Sequence, residues 1–75
     1  MNIEEKVAEI WKDILETDDV SREDNFLESG GESVMAAMLI SRIEENLDVE
    51  ISLLDFFNQP TFAGVIDLVR QNLDS

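Results

Sequence analysis

The sequence predicts an all-α fold, a small bundle of three longer helices and one short helix. Apolar residues recur at helical spacing in four segments, and no segment convincingly alternates apolar and polar residues as a half-buried strand does. A chain of 75 residues also has room for only one hydrophobic core. We therefore expect residues 1–75 to form a single domain.

The first helix is predicted from Ile3 to Leu15. Its apolar residues lie three or four positions apart, which gives the helix one continuous apolar face. Asn2 is positioned to cap the N-terminus, with Glu5 at the reciprocal position of a capping box. The opposite face carries acidic residues and lysines, and we interpret it as solvated.

Residues 17–32 predict a long loop, because they show no helical period and contain several Asp, Asn and Gly residues. So long a loop in a small domain needs apolar anchors, and the candidates are Val20, Phe26 and Leu27. The acidic residues at 18–25 lack the ligand spacing of an EF-hand calcium loop. We therefore expect no metal site here.

The second helix is predicted to run from Ser33 to Leu47, a segment rich in strong helix formers. Its core face is predicted to consist of Ala36, Leu39, Ile40, Ile43 and Leu47. Glu44 and Glu45 lie near its C-terminus, where they oppose the helix dipole. Two interpretations of these two residues stay open, a patch for basic partners and a solvated face.

The last two helices follow an extended link at residues 48–51. Ser52 is positioned to cap a short helix from Leu53 to Asn58, and Pro60 prevents that helix from continuing. Thr61 is positioned to cap the final helix, whose apolar stripe begins at Phe62 and runs almost to the C-terminus.

The composition excludes several classes of function. The chain has no Cys and no His, so it cannot build a thiolate nucleophile, a Ser-His-Asp triad or a conventional zinc site. Its formal charge of −13 repels nucleic acids and anionic membranes and favours partners with basic surfaces. The N-terminus lacks the features of a signal peptide, and no apolar stretch could span a membrane, so we expect a cytoplasmic protein.

The most informative segment is the junction where the long loop ends in Gly30 and Gly31 and Ser33 begins a helix. The glycines allow close approach to the serine hydroxyl, and a helix N-terminus favours a phosphate beside it. The alternative is an ordinary N-cap serine, which is the commoner role at such a position. Because the chain has no histidine base, we interpret Ser33 as a substrate of another enzyme, and we do not expect the chain to be an enzyme.

Two segments resemble the carrier proteins of nonribosomal peptide, polyketide and fatty acid synthesis, most closely the peptidyl carriers. They are Asp-Asn-Phe-Leu-Glu-Ser-Gly-Gly-Glu-Ser at residues 24–33 and the run at residues 53–61 that ends in Pro60 and Thr61. Ser29 and Glu32 depart from the residues usual in peptidyl carriers. Fatty-acid-type carriers typically have Asp-Ser-Leu where this chain has Gly-Glu-Ser-Val, so the resemblance favours an aminoacyl cargo.

The resemblance implies an acyl carrier protein-like fold and a single carrier domain at residues 1–75. It implies that Ser33, beside Gly30, Gly31 and Glu32, accepts 4′-phosphopantetheine from coenzyme A through a phosphopantetheinyl transferase that uses Mg²⁺. The thiol of this arm would hold an aminoacyl or acyl group as a thioester. An adenylating ligase or acyltransferase would load the group, and condensation or tailoring enzymes would receive it. We expect a monomer, and a freestanding protein and an excised domain both fit the sequence.

The helix that begins at Ser33 also carries the expected partner-binding face. It consists of Val34, Ala37, Met38 and Ser41, which project from a different side than the core residues. Core packing is the alternative for Val34 and Met38. Two other functions stay open, an acyl carrier for fatty acid or polyketide synthesis and an acidic helical interaction or inhibitor module.

Overall fold

The computed structural model describes residues 2–73, so Met1 and residues 74–75, at the ends of the predicted domain, lie outside the described residues. Four helices make up the described part, and no strand is assigned within it. They are α1 (Ile3–Leu15), α2 (Ser33–Leu47), α3 (Leu53–Asn58) and α4 (Phe62–Leu73). The predicted all-α bundle of three longer helices and one short helix is confirmed.

Three of the helices begin with the side-chain caps that the sequence predicts. Asn2 Oδ1 accepts a hydrogen bond from the Glu5 N–H at 2.7 Å at the start of α1. Ser52 Oγ accepts one from the Asp55 N–H at 3.4 Å at the start of α3. The hydroxyl of Thr61 accepts one from a backbone N–H of the first turn of α4 at 3.0 Å. Each cap satisfies an N–H group that has no acceptor inside its own helix.

The core lies between α1, α2 and α4 and is completed by one aromatic residue from the long loop and one from α3. Trp11 packs edge to face against Phe26 at a ring-centroid distance of 5.2 Å and against Phe62 at 5.5 Å. Phe26 packs in the same way against Phe56 at 5.8 Å. The predicted core face of α2 is confirmed, with four residues buried and Leu47 half-buried. These four are Ala36, Leu39, Ile40 and Ile43.

The long loop is held against the link between α3 and α4 by backbone hydrogen bonds. Asn25 and Thr61 form an isolated antiparallel bridge. Three bonds lie around it, from Phe26 N–H to the Pro60 carbonyl at 2.8 Å, from Phe62 N–H to the Asp24 carbonyl at 3.0 Å and from Ala63 N–H to the Arg22 carbonyl at 3.1 Å. The loop therefore has a defined path across the bundle, although it contains no helix.

Two of the three predicted loop anchors are confirmed and one is wrong. Phe26 is fully buried and Val20 is half-buried, whereas the side chain of Leu27 is 41% exposed. Asn25 Oδ1 accepts hydrogen bonds from the backbone N–H groups of Leu27 and Glu28 at 2.9 and 3.1 Å. This tight turn directs the side chain of Phe26 into the core. The side chain of Leu27, the next residue, consequently faces solvent.

Two ion pairs connect α1 to the rest of the bundle. Arg42 Nη1 of α2 lies 2.7 Å from Asp13 Oδ2, and Arg22 of the loop pairs with Glu4. The polar face of α1 is thus exposed as predicted, but it also makes a contact between helices. Among residues 2–73, no helix is long and apolar enough to cross a membrane.

Candidate functional site

Ser33 lies at the junction of the long loop and α2, where its side chain is exposed and it is the first residue of the helix. The first helical hydrogen bond of this turn runs from the Ala36 N–H to the Glu32 carbonyl at 2.8 Å. The N–H groups of residues 33–35 therefore precede the helical ladder and have no acceptor within the helix. They lie at the positive end of the helix dipole, next to the Ser33 hydroxyl.

The N-terminus of α2 differs from those of the other three helices. The N-cap residue is Glu32, and within residues 2–73 its side chain makes no capping hydrogen bond. The first turn contains no acidic residue, whereas the first turn of α1 contains Glu4 and Glu5. The alternative interpretation of Ser33 as an N-cap serine is therefore wrong, because Ser33 is already inside the helix. The uncapped N–H groups form a site suited to an anion.

The two glycines before Ser33 have different structural roles. Gly30 has a φ of +101°, a backbone conformation that residues with a side chain rarely adopt. The space beside its Cα atom is open. Gly31 has an ordinary φ, but a Cβ atom there would overlap two ring carbons of Phe26. The expectation that both glycines clear the approach to the hydroxyl is thus wrong for Gly31, whose missing side chain makes room for a core aromatic ring.

The residues at this junction fit a phosphodiester of the Ser33 hydroxyl. The hydroxyl is accessible, three backbone N–H groups lie in the same turn, and that turn contains no acidic residue, the carboxylate of the N-cap residue Glu32 being exposed just before it. Within residues 2–73, no side chain forms a hydrogen bond to the Ser33 hydroxyl that would deprotonate it.

The predicted partner-binding residues all lie on the surface. Val34 is 71% exposed and Met38 is 50% exposed, so the alternative of core packing is wrong for both. Ala37 and Ser41 are also exposed. Leu54 of α3 is 72% exposed and was not predicted to be a surface residue. We call Val34, Met38 and Leu54 the exposed apolar set.

The sequence could have identified Leu54 only through the shortness of α3. A six-residue helix has one side that faces the bundle, and Phe56 occupies it fully buried. Two adjacent leucines cannot both lie on the side of the helix that Phe56 occupies. Leu53 and Leu54 are both exposed. An exposed apolar side chain near others of its kind is typical of an interaction surface.

Three of the surface grooves are open to solvent and lie away from Ser33. One of about 650 Å³ lies between α1 and the C-terminal half of α2, and its lining includes Lys6, Lys12 and Arg42. The other two lie beside the start of α1 and beside the link between α2 and α3. None of the three is lined by residues 30–41, so none could hold a group attached close to the Ser33 backbone.

The chain matches the family model described as "Phosphopantetheine attachment site" over residues 5–69. Among curated proteins it is similar to bacitracin synthase 3 of Bacillus licheniformis, with 42% identity over 72 residues. That match covers 96% of this chain and 1% of the synthase. It is also similar to gramicidin S synthase 2 of Brevibacillus brevis, with 37% identity over 91% of this chain and 2% of that protein. The chain thus spans a very small part of the curated relatives that it matches.

Solved structures show the same fold. One is a peptidyl carrier protein in complex with the phosphopantetheine transferase Sfp and coenzyme A, with a TM-score of 0.88 and 29% identity over 96% of this chain and 94% of that chain. Another is the McyG A-PCP structure complexed with phenylalanyl-adenylate, with a TM-score of 0.83 and 29% identity over 92% of this chain and 11% of that chain. The family match, the sequence relatives and the shared fold agree, and the chain belongs to the phosphopantetheine attachment site family as a carrier domain of the peptidyl carrier type.

Proposed function

We propose that Ser33 carries the phosphopantetheine arm and that the chain presents aminoacyl groups on this arm to enzymes of nonribosomal peptide synthesis. The observation that carries the proposal is the exposed Ser33 hydroxyl at the uncapped N-terminus of α2. Two other serines of the described residues are less suitable. Ser21 donates its hydroxyl to Asp24 at 2.9 Å, and Ser52 Oγ caps α3.

In the attachment reaction this chain would supply the nucleophile, and the transferase would supply the base. A bond forms between Ser33 Oγ and the phosphorus next to the pantetheine group of coenzyme A. The phosphorus–oxygen bond to the adenosine 3′,5′-bisphosphate portion breaks, and the hydroxyl proton goes to a base of the transferase. The N–H groups and dipole at the start of α2 stabilise the resulting negative charge. When bound, the arm supplies a thiol that holds carboxylic acids as thioesters.

The catalytic steps would belong to other proteins. The described residues contain no hydrogen-bonded base at Ser33, and the chain has no His. We therefore propose that the chain is not an enzyme and that its partners are a phosphopantetheinyl transferase, an adenylating ligase and condensation or tailoring enzymes. The similar solved structures, which contain a transferase and a phenylalanyl-adenylate, support these classes of partner.

The partners would dock on α2 beside the arm. The proposed surface consists of Val34, Ala37, Met38 and Ser41, to which exposure in the structure adds Leu54. Burial of the apolar side chains would favour association, and the surrounding charges of an acidic chain favour basic partners. The cytoplasmic location and the monomeric state stay predictions. No feature of the site favours the alternative of an acidic inhibitor, which rests on net charge alone.

The proposal is tested by modification of the purified apo chain with coenzyme A, Mg²⁺ and a broad-specificity phosphopantetheinyl transferase. Intact mass should show one added phosphopantetheine group, and Ser33→Ala should abolish the addition. Ser29→Ala and Ser41→Ala, which also remove exposed serines, should leave it unchanged. Addition to the Ser33→Ala chain would contradict the proposal.

A further inference from the structure

The backbone and ring of Phe26 support the turn that leads to Ser33. The Phe26 carbonyl accepts a hydrogen bond from the Gly31 N–H at 2.9 Å, and its own N–H donates to the Pro60 carbonyl at 2.8 Å. Two carbon atoms of the ring and the Phe26 carbonyl oxygen lie too close to the position of a Gly31 Cβ to leave room for one. The ring and the glycine backbone are therefore in direct contact, with no space between them for even one methyl group.

Phe26 is itself held by the core. The side chain is fully buried, and its ring packs edge to face against Trp11 of α1 and Phe56 of α3. Ser33 follows Gly31 by two residues, a backbone span of about 7 Å at most. A displacement of the ring would thus be transmitted to the backbone that leads into α2, because a packed core transmits strain.

We infer that Phe26 and Gly31 are positioning residues for the Ser33 hydroxyl, an inference that rests on the proposed function. The contact between ring and glycine fixes the direction in which the loop enters α2. A hydroxyl that reacts in the active site of another enzyme must lie at the attack distance, and a misplacement of about 1 Å can slow a reaction by about a hundredfold.

This positioning role differs from docking in the kinetic constant that it affects. Docking uses exposed side chains such as Met38 and Leu54, which lie outside the first turn of α2 and which changes at Phe26 and Gly31 leave in place. Variants at Phe26 and Gly31 therefore lower kcat of the transferase for this carrier and leave its KM nearly unchanged. A loss of docking raises KM instead.

Two matched pairs of variants separate positioning from general loosening of the core. Phe26→Met keeps most of the side-chain volume but removes the rigid ring beside Gly31. Its control is Phe62→Met, the same change at a buried phenylalanine that packs on Trp11. Gly31→Ala forces a methyl group against Phe26, and its control is Gly64→Ala, which forces a methyl group of α4 against the Gln59 carbonyl oxygen.

Modification rates are measured on chains that circular dichroism shows to be folded, at a temperature below every unfolding transition. We expect Phe26→Met and Gly31→Ala to lower kcat about tenfold or more, with KM within about twofold of the parent chain. Phe62→Met and Gly64→Ala should keep both constants within about twofold. If one pair contains a variant that does not fold, the other pair decides.

Two results would overturn the inference. One is a folded Phe26→Met or Gly31→Ala chain that retains the parent kcat. The other is an equal loss of kcat in the controls, which would show that any loosening of the core has this effect. Ser33→Ala, measured in parallel, distinguishes the two proposals. Modification of that variant refutes the attachment site, whereas its failure to react alongside unchanged rates for Phe26→Met refutes only the positioning role.

Discussion

The carboxylate of Glu44 accepts a hydrogen bond from the backbone N–H of Ile51 at 2.9 Å, which joins the last turn of α2 to the link before α3. Glu44 is half-buried, whereas its neighbour Glu45 is exposed. The two interpretations of this pair, a partner patch and a solvated face, both overlook this structural role of Glu44. Its negative charge opposes the α2 dipole, but it satisfies a backbone donor that would otherwise lack a partner.

This contact predicts opposite outcomes for two adjacent glutamates. Glu44→Ala should lower the free energy of unfolding by about 1–2 kcal/mol, because it leaves a partly buried N–H without an acceptor. Glu45→Ala should change it by less than about 0.5 kcal/mol, because this side chain makes no contact of that kind and is exposed. Urea unfolding followed by the fluorescence of Trp11 measures both. Equal losses for the two variants would contradict the role of Glu44.

The C-cap of α1 predicts a stabilising substitution. Glu16 has a φ of 54°, in the left-handed region that is costly for residues with a side chain. Glu16→Gly should raise the free energy of unfolding by about 1 kcal/mol. Glu16→Gln removes the same charge but keeps the unfavourable conformation, so its gain should be smaller. If Glu16→Gln raised the free energy of unfolding as much as Glu16→Gly, removal of the charge alone would explain the effect.

The two faces of α2 predict different defects. Leu39→Ala or Ile43→Ala should lower the free energy of unfolding by about 2–5 kcal/mol, because both side chains are fully buried. Val34→Asp and Met38→Asp should change it by less than about 1 kcal/mol but raise KM in the transferase assay. Leu54→Asp should behave like them.

The control for the exposed apolar set is Leu73→Asp, the same change at an exposed leucine of α4. It should leave KM unchanged, because Leu73 lies outside α2 and α3. Unfolding of the Val34 or Met38 variant to the extent seen for the core variants would show that these side chains contribute to the core.

The net charge predicts that stability rises with salt. Eighteen acidic side chains outnumber five basic ones, so the excess negative charges repel one another within a small volume, and sodium chloride screens this repulsion. The two exposed ion pairs that salt weakens are worth only about 0–1 kcal/mol each, so the relief of repulsion dominates. The urea midpoint should increase between low and high salt. In Asp18→Asn/Asp19→Asn the increase should be smaller, and an unchanged midpoint in the parent chain would contradict the prediction.

The filled core predicts that cargo stays outside the bundle. Trp11, Phe26 and Phe56 occupy its centre, and none of the three surface grooves reaches residues 30–41. An octanoyl chain could enter only if well-packed side chains separated, with a loss of their contacts. Loading the arm with an aminoacyl or an octanoyl group should therefore shift backbone amide signals near Ser33 and leave those of Ile43 and Val65 unchanged. Core shifts confined to the octanoyl form, with no aminoacylation by adenylating ligases, would instead indicate a fatty acid or polyketide carrier.

Local sequence patterns alone determined the helices and most of their caps. The apolar spacing of α1 and the polar residues Asn2, Ser52 and Thr61 act within one turn of the chain, so no distant contact is needed to predict them. The sequence also indicated the junction at Ser33, because two glycines followed by a run of helix formers are visible in the order of the residues. The exposed side of α2 followed from the 3.6-residue period.

Tertiary structure decided which of two plausible roles each remaining residue has. Leu27 and Leu54 are as apolar as their buried neighbours Phe26 and Phe56, and only packing of the loop and of α3 on the bundle determines that the phenylalanines point inward. The role of Gly31 depends on Phe26, five residues before it, and the role of Glu44 depends on an N–H seven residues after it. In each case the favoured position of the side chain depends on a contact with a residue outside the local helical repeat. Periodicity and composition therefore could not predict the role of that residue.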